Sequence, residues 1–267
     1  MENFINQLPT PWAILSDPIS IIVYFIFAGL FLWENLFPAR ELPRIKYWKV
    51  KGFLFFLAYV LFTTYIPLLW DRFLAPYQFL DLSSWNLTTQ VIIGILLFEL
   101  VQYGWHIAMH KSDFFFRISH QMHHSSERLD VPSAFMFSIN DMIGLSLVGS
   151  VSFTLLMGLS PEAITVIILS LTFLGVFQHA NIKTPRWLGY IVQRPESHSL
   201  HHAKGVHAYN YTDLPLIDML FGTFKNPKSF EQETGYYLGA SNRILEMLRF
   251  KDVTKKKITK KKNRFSL

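Results

Sequence analysis

Long apolar stretches separated by short polar segments dominate the pattern of the chain. Three of them contain no charged residue over nearly the ~20 residues that a helix needs to cross a bilayer. Two more are interrupted by polar side chains, Glu34 near the end of one, and Glu99 and His106 within the other. The five stretches are residues 18–37, 52–70, 82–110, 142–160 and 163–182. The pattern predicts an all-α integral membrane protein with four to five transmembrane or membrane-embedded helices.

The composition supports a membrane rather than water as the solvent. Hydrophobic residues make up 51% of the chain and aromatic residues 16%, and the mean hydropathy is +0.24. A water-soluble domain of this length rarely reaches such values. Cysteine is absent, which excludes disulfides and thiolate metal ligands. Any bound metal would therefore need nitrogen or oxygen ligands.

Lys and Arg are distributed unevenly between the segments that join the apolar stretches. None precedes residue 18, five lie within residues 38–51, and the next loop has only Arg72. Because loops rich in these residues tend to stay on the cytoplasmic side, we expect the N-terminus outside. Every histidine then lies on or near the cytosolic face, in a bacterial inner membrane or an ER-type membrane.

One domain is expected over residues 1–267, with a motif core at 85–225, because no internal repeat or long linker divides the chain. Residues 251–267 form a basic tail that contains the run KKK twice. Such a tail is either a solvated end or a segment attracted to anionic headgroups. We expect membrane lipids as its partner and no nucleic acid.

Histidine supplies the candidate chemistry, because all ten histidines lie at or after residue 106. Eight of them fall into the motifs HIAMH, HQMHH and HSLHH. Residues three and four apart share a helix face, so each triplet is predicted to place three ring nitrogens on one helical edge. The eight candidate ligands are His106, His110, His120, His123, His124, His198, His201 and His202.

A ninth ligand is expected at His179, close to the inner end of the last apolar stretch. Eight or nine ligands exceed the four that one zinc ion takes, so two ions are predicted. Imidazole suits zinc, copper, iron and nickel alike. A pair of ions held by neutral nitrogens can share the electrons that the reduction of O2 requires, and this chemistry favours iron. Glu99, His207 and Asn181 are candidates for contacts behind the ligands.

The three motifs resemble, in order, the eight-histidine signature of the fatty acid hydroxylase and sterol desaturase superfamily of membrane di-iron enzymes. The resemblance covers roughly residues 85–225 and extends to the strings FQHAN, NY and DMLFGTF. The extended string HQMHHSSE is most similar to the alkylglycerol-monooxygenase-like branch. The chain departs from that branch at Met136 and Thr212, where an Arg and a Gly are expected.

The resemblance implies a helical membrane stem and a cytosolic helical cap that carries two Fe ions, although a purified protein could hold Zn instead. It further implies the use of O2 and external electrons to hydroxylate or desaturate a C–H bond of a lipid-like substrate, such as a fatty acyl chain, a sterol or an ether lipid. The sequence contains no haem, flavin or dinucleotide motif, so a separate electron donor protein is expected. No catalytic residue is needed beyond the metal ligands.

Two other functions use the same residue types. A histidine-rich membrane metal transporter or sensor without redox catalysis would need a polar path through the spans. A haem-carrying electron-transfer protein would need single histidines on facing helices, which the HxxHH triplets do not provide.

Overall fold

The computed structural model describes residues 7–256, and this part of the chain is helical without a β-strand. It contains five helices that are long and apolar enough to cross a membrane, so the all-α class and the predicted four to five spans are confirmed, whereas the cytosolic cap stays a prediction. Residues 257–267, the larger part of the basic tail, lie outside the described residues. The spans are α1 Pro18–Leu36, α2 Trp48–Leu74, α3 Leu87–Lys111, α4 Ile139–Leu156, which is π-helical from Val151 onward, and α5 Pro161–His179.

Capping residues set where the spans begin. Asp17 accepts a hydrogen bond from the amide of Ile19 ahead of α1, and proline occupies the first helical position, where its missing N–H is not needed. Asn86 accepts from the amide of Thr89, so α3 starts five residues later than the apolar stretch that begins at residue 82. Polar caps therefore define boundaries that hydropathy alone leaves open.

The spans pack in a closed ring. Helix α1 packs against α5, α5 against α3, α3 against α4, and α4 against α2. The ring closes where Phe27 of α1 stacks on Phe56 of α2 with centroids 4.4 Å apart. Together with Phe135, these rings belong to the largest apolar cluster of the described residues. Aromatic packing therefore joins α1 to α2.

Consecutive spans run antiparallel, so their loops divide between two ends of the bundle. At one end, the amides of Phe79 and Leu82 donate to the carbonyls of Leu155 and Met157, at 2.7 and 3.0 Å. At the opposite end, which we call the histidine end, α1, α3 and α5 finish and α2 and α4 begin.

Glu34 joins several elements at the histidine end, although it belongs to a membrane span. Its side chain is buried, and one carboxylate oxygen accepts from the amides of Val131 at 2.9 Å and Asn181 at 3.0 Å. One residue of α1 thus holds both the loop that follows the second histidine motif and the segment that follows α5.

Helix α2 reaches the same loop through Gly52. A Cβ atom at this position would lie 2.5 Å from both Cβ and the carbonyl oxygen of Pro132. Such an approach is possible only for a residue without a side chain. The helix therefore packs directly on the backbone between the second motif and α4.

We predict that Gly52→Ala lowers the thermal unfolding midpoint, because the added methyl group overlaps Pro132 and such overpacking costs about 1–3 kcal/mol. Gly29→Ala in α1 is the matched control, since nothing lies within 4 Å of its Cβ position. Thermal unfolding of the detergent-solubilised variants measures the difference. Equal midpoints for the two variants would contradict close packing at Gly52.

Candidate metal centre

Nine histidines gather at the histidine end in two neighbouring groups. Within each group one ring nitrogen per residue lies within 4.8 Å of all the others. The five-histidine group consists of His106, His110, His120, His124 and His201. The four-histidine group consists of His123, His179, His198 and His202. The structure thus brings together all nine residues predicted as ligands.

Each triplet divides between the two groups. On α6, Pro195–His201, residues 201 and 202 point about 100° apart, so His201 joins the five-histidine group while His198 and His202 join the other. In the first triplet, His120 and His124 join the five-histidine group and His123 joins the other. The helix type changes within this triplet, because His120 ends a π-helix and His123 begins a 3-10 helix. The prediction of one regular helical edge for HQMHH is therefore wrong.

Neighbouring nitrogens of the four-histidine group have the spacing of ligands around one metal ion. The Nε2 atom of His179 lies 3.1 Å from those of His123 and His198, and the Nε2 atoms of His198 and His202 are also 3.1 Å apart. Metal–nitrogen bonds of ~2.0–2.1 Å in a tetrahedron place the nitrogens about 3.3 Å apart. The converging nitrogens match a single small cation.

Backbone carbonyls orient two rings of the five-histidine group. Nδ1 of His106 donates to the carbonyl of Tyr211 and Nδ1 of His201 to that of Tyr209, each at 2.7 Å. A carbonyl can only accept, so the proton resides on Nδ1 and the Nε2 lone pair points into the group. Nδ1 of His120 is held in the same way by the carboxylate of Asp141 at 3.1 Å.

A protein-family comparison agrees with this geometry. The family described as fatty acid hydroxylase matches residues 91–223, which include all nine histidines. The chain belongs to the fatty acid hydroxylase family. The resemblance seen in the motifs is thereby confirmed, whereas the alkylglycerol-monooxygenase-like branch stays a prediction. Comparisons with curated proteins and with solved structures gave no match.

The donor set of this hydroxylase-family protein fits metal ions. Buried ring nitrogens without a hydrogen-bond partner occur in both groups, and each costs about 1–3 kcal/mol if it stays unpaired. In the five-histidine group they are the inward Nε2 atoms of His110, His124 and His201. In the four-histidine group they are the Nδ1 atoms of His123, His198 and His202, whose Nε2 atoms are the ones that converge. A cation would therefore satisfy the Nε2 atoms of the five-histidine group, as no side chain of the described residues does.

Burial keeps the histidines outside the spans neutral. Desolvation is the largest cause of a lowered pKa, and neighbouring imidazoles lower it further, at His123, His124, His198, His201 and His202. Desolvation also lowers the pKa of His207 to about 4. Each ring therefore offers a lone pair at neutral pH, which is the form that binds metal.

Of the three residues predicted to support the ligands, one hydrogen-bonds to a histidine and two bond elsewhere. His207 contacts a candidate ligand, since its Nδ1 lies 3.0 Å from Nδ1 of His124. Glu99 instead accepts from the amide of Asp213 at 2.9 Å, and the side-chain amide of Asn181 donates to the carbonyl of Arg40 at 2.8 Å. Neither of these hydrogen bonds reaches a histidine.

Sequence reasoning missed the groups that orient the ligands. Asp141 precedes an apolar stretch, and its position after the second triplet was the one available signal. The carbonyls of Tyr209 and Tyr211 could not be found, because every residue has a carbonyl. The buried side chain of Arg194 was also missed.

Arg194 fixes the start of α6. Its guanidinium donates to the Thr184 hydroxyl at 3.0 Å and the Asn226 side chain at 2.7 Å, and it pairs with Glu196 at 3.0 Å. Five planar donors with matching acceptors make this a rigid junction. The junction sets the position from which His198, His201 and His202 project.

We predict that the metal-free protein loses stability as the pH falls below ~6.5. Unfolded histidines take up protons near that pH, whereas the folded rings resist until a lower pH, about 4 for His207. The unfolded chain then binds more protons, so its free energy falls relative to the folded chain. Burial raises the pKa of Asp213 to about 7 and also raises that of Asp130. Such buried carboxyls oppose this trend, but the histidines whose pKa burial lowers outnumber them.

Thermal unfolding of chelator-treated protein between pH 7.5 and 5 measures this effect. A midpoint that stays constant or rises on acidification would contradict the burial of neutral imidazoles.

Proposed function

We propose that this protein is an O2-dependent di-iron oxidoreductase that hydroxylates or desaturates a C–H bond of a lipid. The observation that carries the proposal is the pair of adjacent groups, one of five and one of four histidines, at the end of a membrane bundle. The groups meet where the rings of His124 and His202 stack with centroids 4.2 Å apart. Membership of the fatty acid hydroxylase family supports an oxidoreductase.

Each group would hold one iron ion through neutral imidazole nitrogens. A pair of iron ions supplies the electrons and the binding positions that O2 activation needs and that amino-acid side chains lack. The chain's own contribution is to bind, to orient and to exclude water. Eight of the nine rings are buried and His110 is half-buried, so His110 lies closest to a route of access.

The position of the site favours a substrate that arrives from the bilayer. His106 and His110 lie on the last two turns of α3, and earlier turns of this helix expose Ile92, Leu96 and Leu100. An apolar chain in the bilayer can therefore follow the helix toward the histidines without leaving a lipid-like environment. Fatty acyl chains, sterols and ether lipids all meet this requirement.

Orientation and electron supply complete the proposal. Residues 38–51 lie at the histidine end and carry five of the 25 Lys and Arg residues, whereas Arg72 lies near the opposite end of α2. This asymmetry supports a cytosolic site. A separate donor protein on that side would deliver the electrons, because the sequence has no motif for a flavin, haem or dinucleotide.

We predict that His123→Ala and His201→Ala, one ligand from each group, each abolish turnover while the protein still inserts into membranes. Each variant should also lose about one iron relative to the wild type, since a ligand of one group is removed. His207→Ala should be milder and serves as the comparison. Measured iron per chain and turnover that stay near wild type would remove that histidine from the ligand set.

We predict that lipids from cells that express the protein contain a species with either one additional oxygen or two fewer hydrogens. Mass spectrometry of cells with the wild type, the His123→Ala variant and no protein separates hydroxylation from desaturation and identifies the lipid class. Identical lipid profiles in all three, together with metal uptake that depends on the protein, would instead support a metal transporter.

A further inference from the structure

Residues 207–211 contain three residues in the left-handed region of backbone conformation. His207, Tyr209 and Asn210 have φ angles of 42°, 69° and 51°. Asn and His tolerate this region better than most residues, whereas Tyr209 bears a cost of roughly 1–2 kcal/mol. Strain of this kind concentrates at functional sites, where the surroundings impose it.

The same segment contacts four of the five rings in the five-histidine group, since the ring of Tyr211 also lies against that of His110 with centroids 5.4 Å apart. Tyr209 and Tyr211 provide the carbonyls that accept from His201 and His106, each at 2.7 Å. Successive left-handed residues turn these carbonyls toward the group. The left-handed conformation thus places two carbonyl acceptors where they hydrogen-bond to ligand rings.

His207 provides a further contact, a hydrogen bond between its ring and that of His124. The Nδ1 atoms of His207 and His124 are 3.0 Å apart, so one of them carries the hydrogen. The unpartnered Nε2 of His124 points into the five-histidine group. For Nε2 to offer a lone pair, Nδ1 of His124 must be the donor and Nδ1 of His207 the acceptor.

Asp218 holds the segment in place. It lies on α7, Pro215–Phe221, and is fully buried. One oxygen accepts from the amide of Tyr211 at 2.9 Å and the Thr223 hydroxyl at 2.6 Å. The other oxygen accepts from the amide and the hydroxyl of Thr212, at 3.0 and 2.7 Å. Each carboxylate oxygen therefore faces a backbone N–H.

The side chain of Asn210 joins the segment to its neighbours. Its amide nitrogen donates to the carbonyl of Ser197 on α6 at 2.9 Å, and its oxygen accepts from the amide of Lys225 at 2.7 Å. The motifs NY and DMLFGTF, which contain no predicted ligand, thus meet at one place. Both act on the backbone that orients the ligands.

We propose that residues 207–211, held by Asp218, form a positioning loop that determines the metal affinity of the five-histidine group and leaves the four-histidine group unaffected. Of the four-histidine group, His179 has its Nδ1 bound within its own helix, to the Gly175 carbonyl at 2.6 Å. The inference rests on the proposed two-metal function.

The variant Asp218→Asn tests the proposal with a minimal change of shape. In either orientation of the amide, its NH2 group faces a backbone N–H, that of Tyr211 or that of Thr212, so two donors oppose each other. We expect one of the two irons to bind 10–100-fold more weakly, the usual effect of losing a group that orients a ligand. The other iron should bind as in the wild type.

Iron per chain, measured after exposure of the purified protein to a graded series of chelator concentrations, gives the result without an activity assay. Asp81→Asn is the matched control, because Asp81 also accepts from a backbone amide and a hydroxyl, but at the opposite end of the bundle. Two irons of wild-type affinity in Asp218→Asn, or a parallel loss of both, would overturn the proposal.

A second pair of variants keeps the test decisive if Asp218→Asn fails to accumulate. His207→Asn places an oxygen where Nδ1 lies and tolerates a left-handed backbone, so it should retain two irons. His207→Leu has a similar shape without an acceptor and should weaken one iron. Equal iron retention by both would overturn the role of His207 in the loop. A wild type with fewer than two irons would contradict the proposed function itself.

Discussion

The convergence of nine imidazole rings at one end of a membrane bundle is the constraint on which the rest of this structure depends. Neutral rings in close contact do not attract each other strongly, and their inward nitrogens are costly to bury without partners. The fold accepts this cost because short helices, turns and spans approach the same place from different directions. His106 and His179 come from two spans, whereas His120 and His198 come from short helices between and after the spans.

Hydrogen bonds from outside the rings make the convergence specific. Carbonyls of Tyr209 and Tyr211, the carboxylate of Asp141 and the ring of His207 contact ligands in the five-histidine group. These contacts decide which nitrogen keeps its proton, and so which lone pair faces inward. Family membership says that such a centre is expected, and the contacts describe how this chain builds it.

The bundle also decides what can reach the centre. Glu34 and Gly52 attach two spans directly to the loop after the second motif, so polar and steric contacts fix this loop to the bundle. Three of the nine histidines lie at the ends of α3 and α5, so the histidine groups are continuous with the membrane-spanning helices. This arrangement supports chemistry on an apolar substrate.

The sequence by itself determined the five spans, the all-α class, the family and the nine residues that gather, because hydropathy and short-range histidine spacing are local properties. It could not divide the nine residues into five and four. That division depends on the direction of each ring, which changes where HQMHH leaves regular α-helix and where His201 and His202 diverge by a quarter turn. It could not identify the carbonyls of Tyr209 and Tyr211 or the role of Asp218 either, since backbone groups acquire partners only when distant segments pack together. The tertiary structure decided these contacts because orientation and tautomer depend on neighbours that are far apart in the chain.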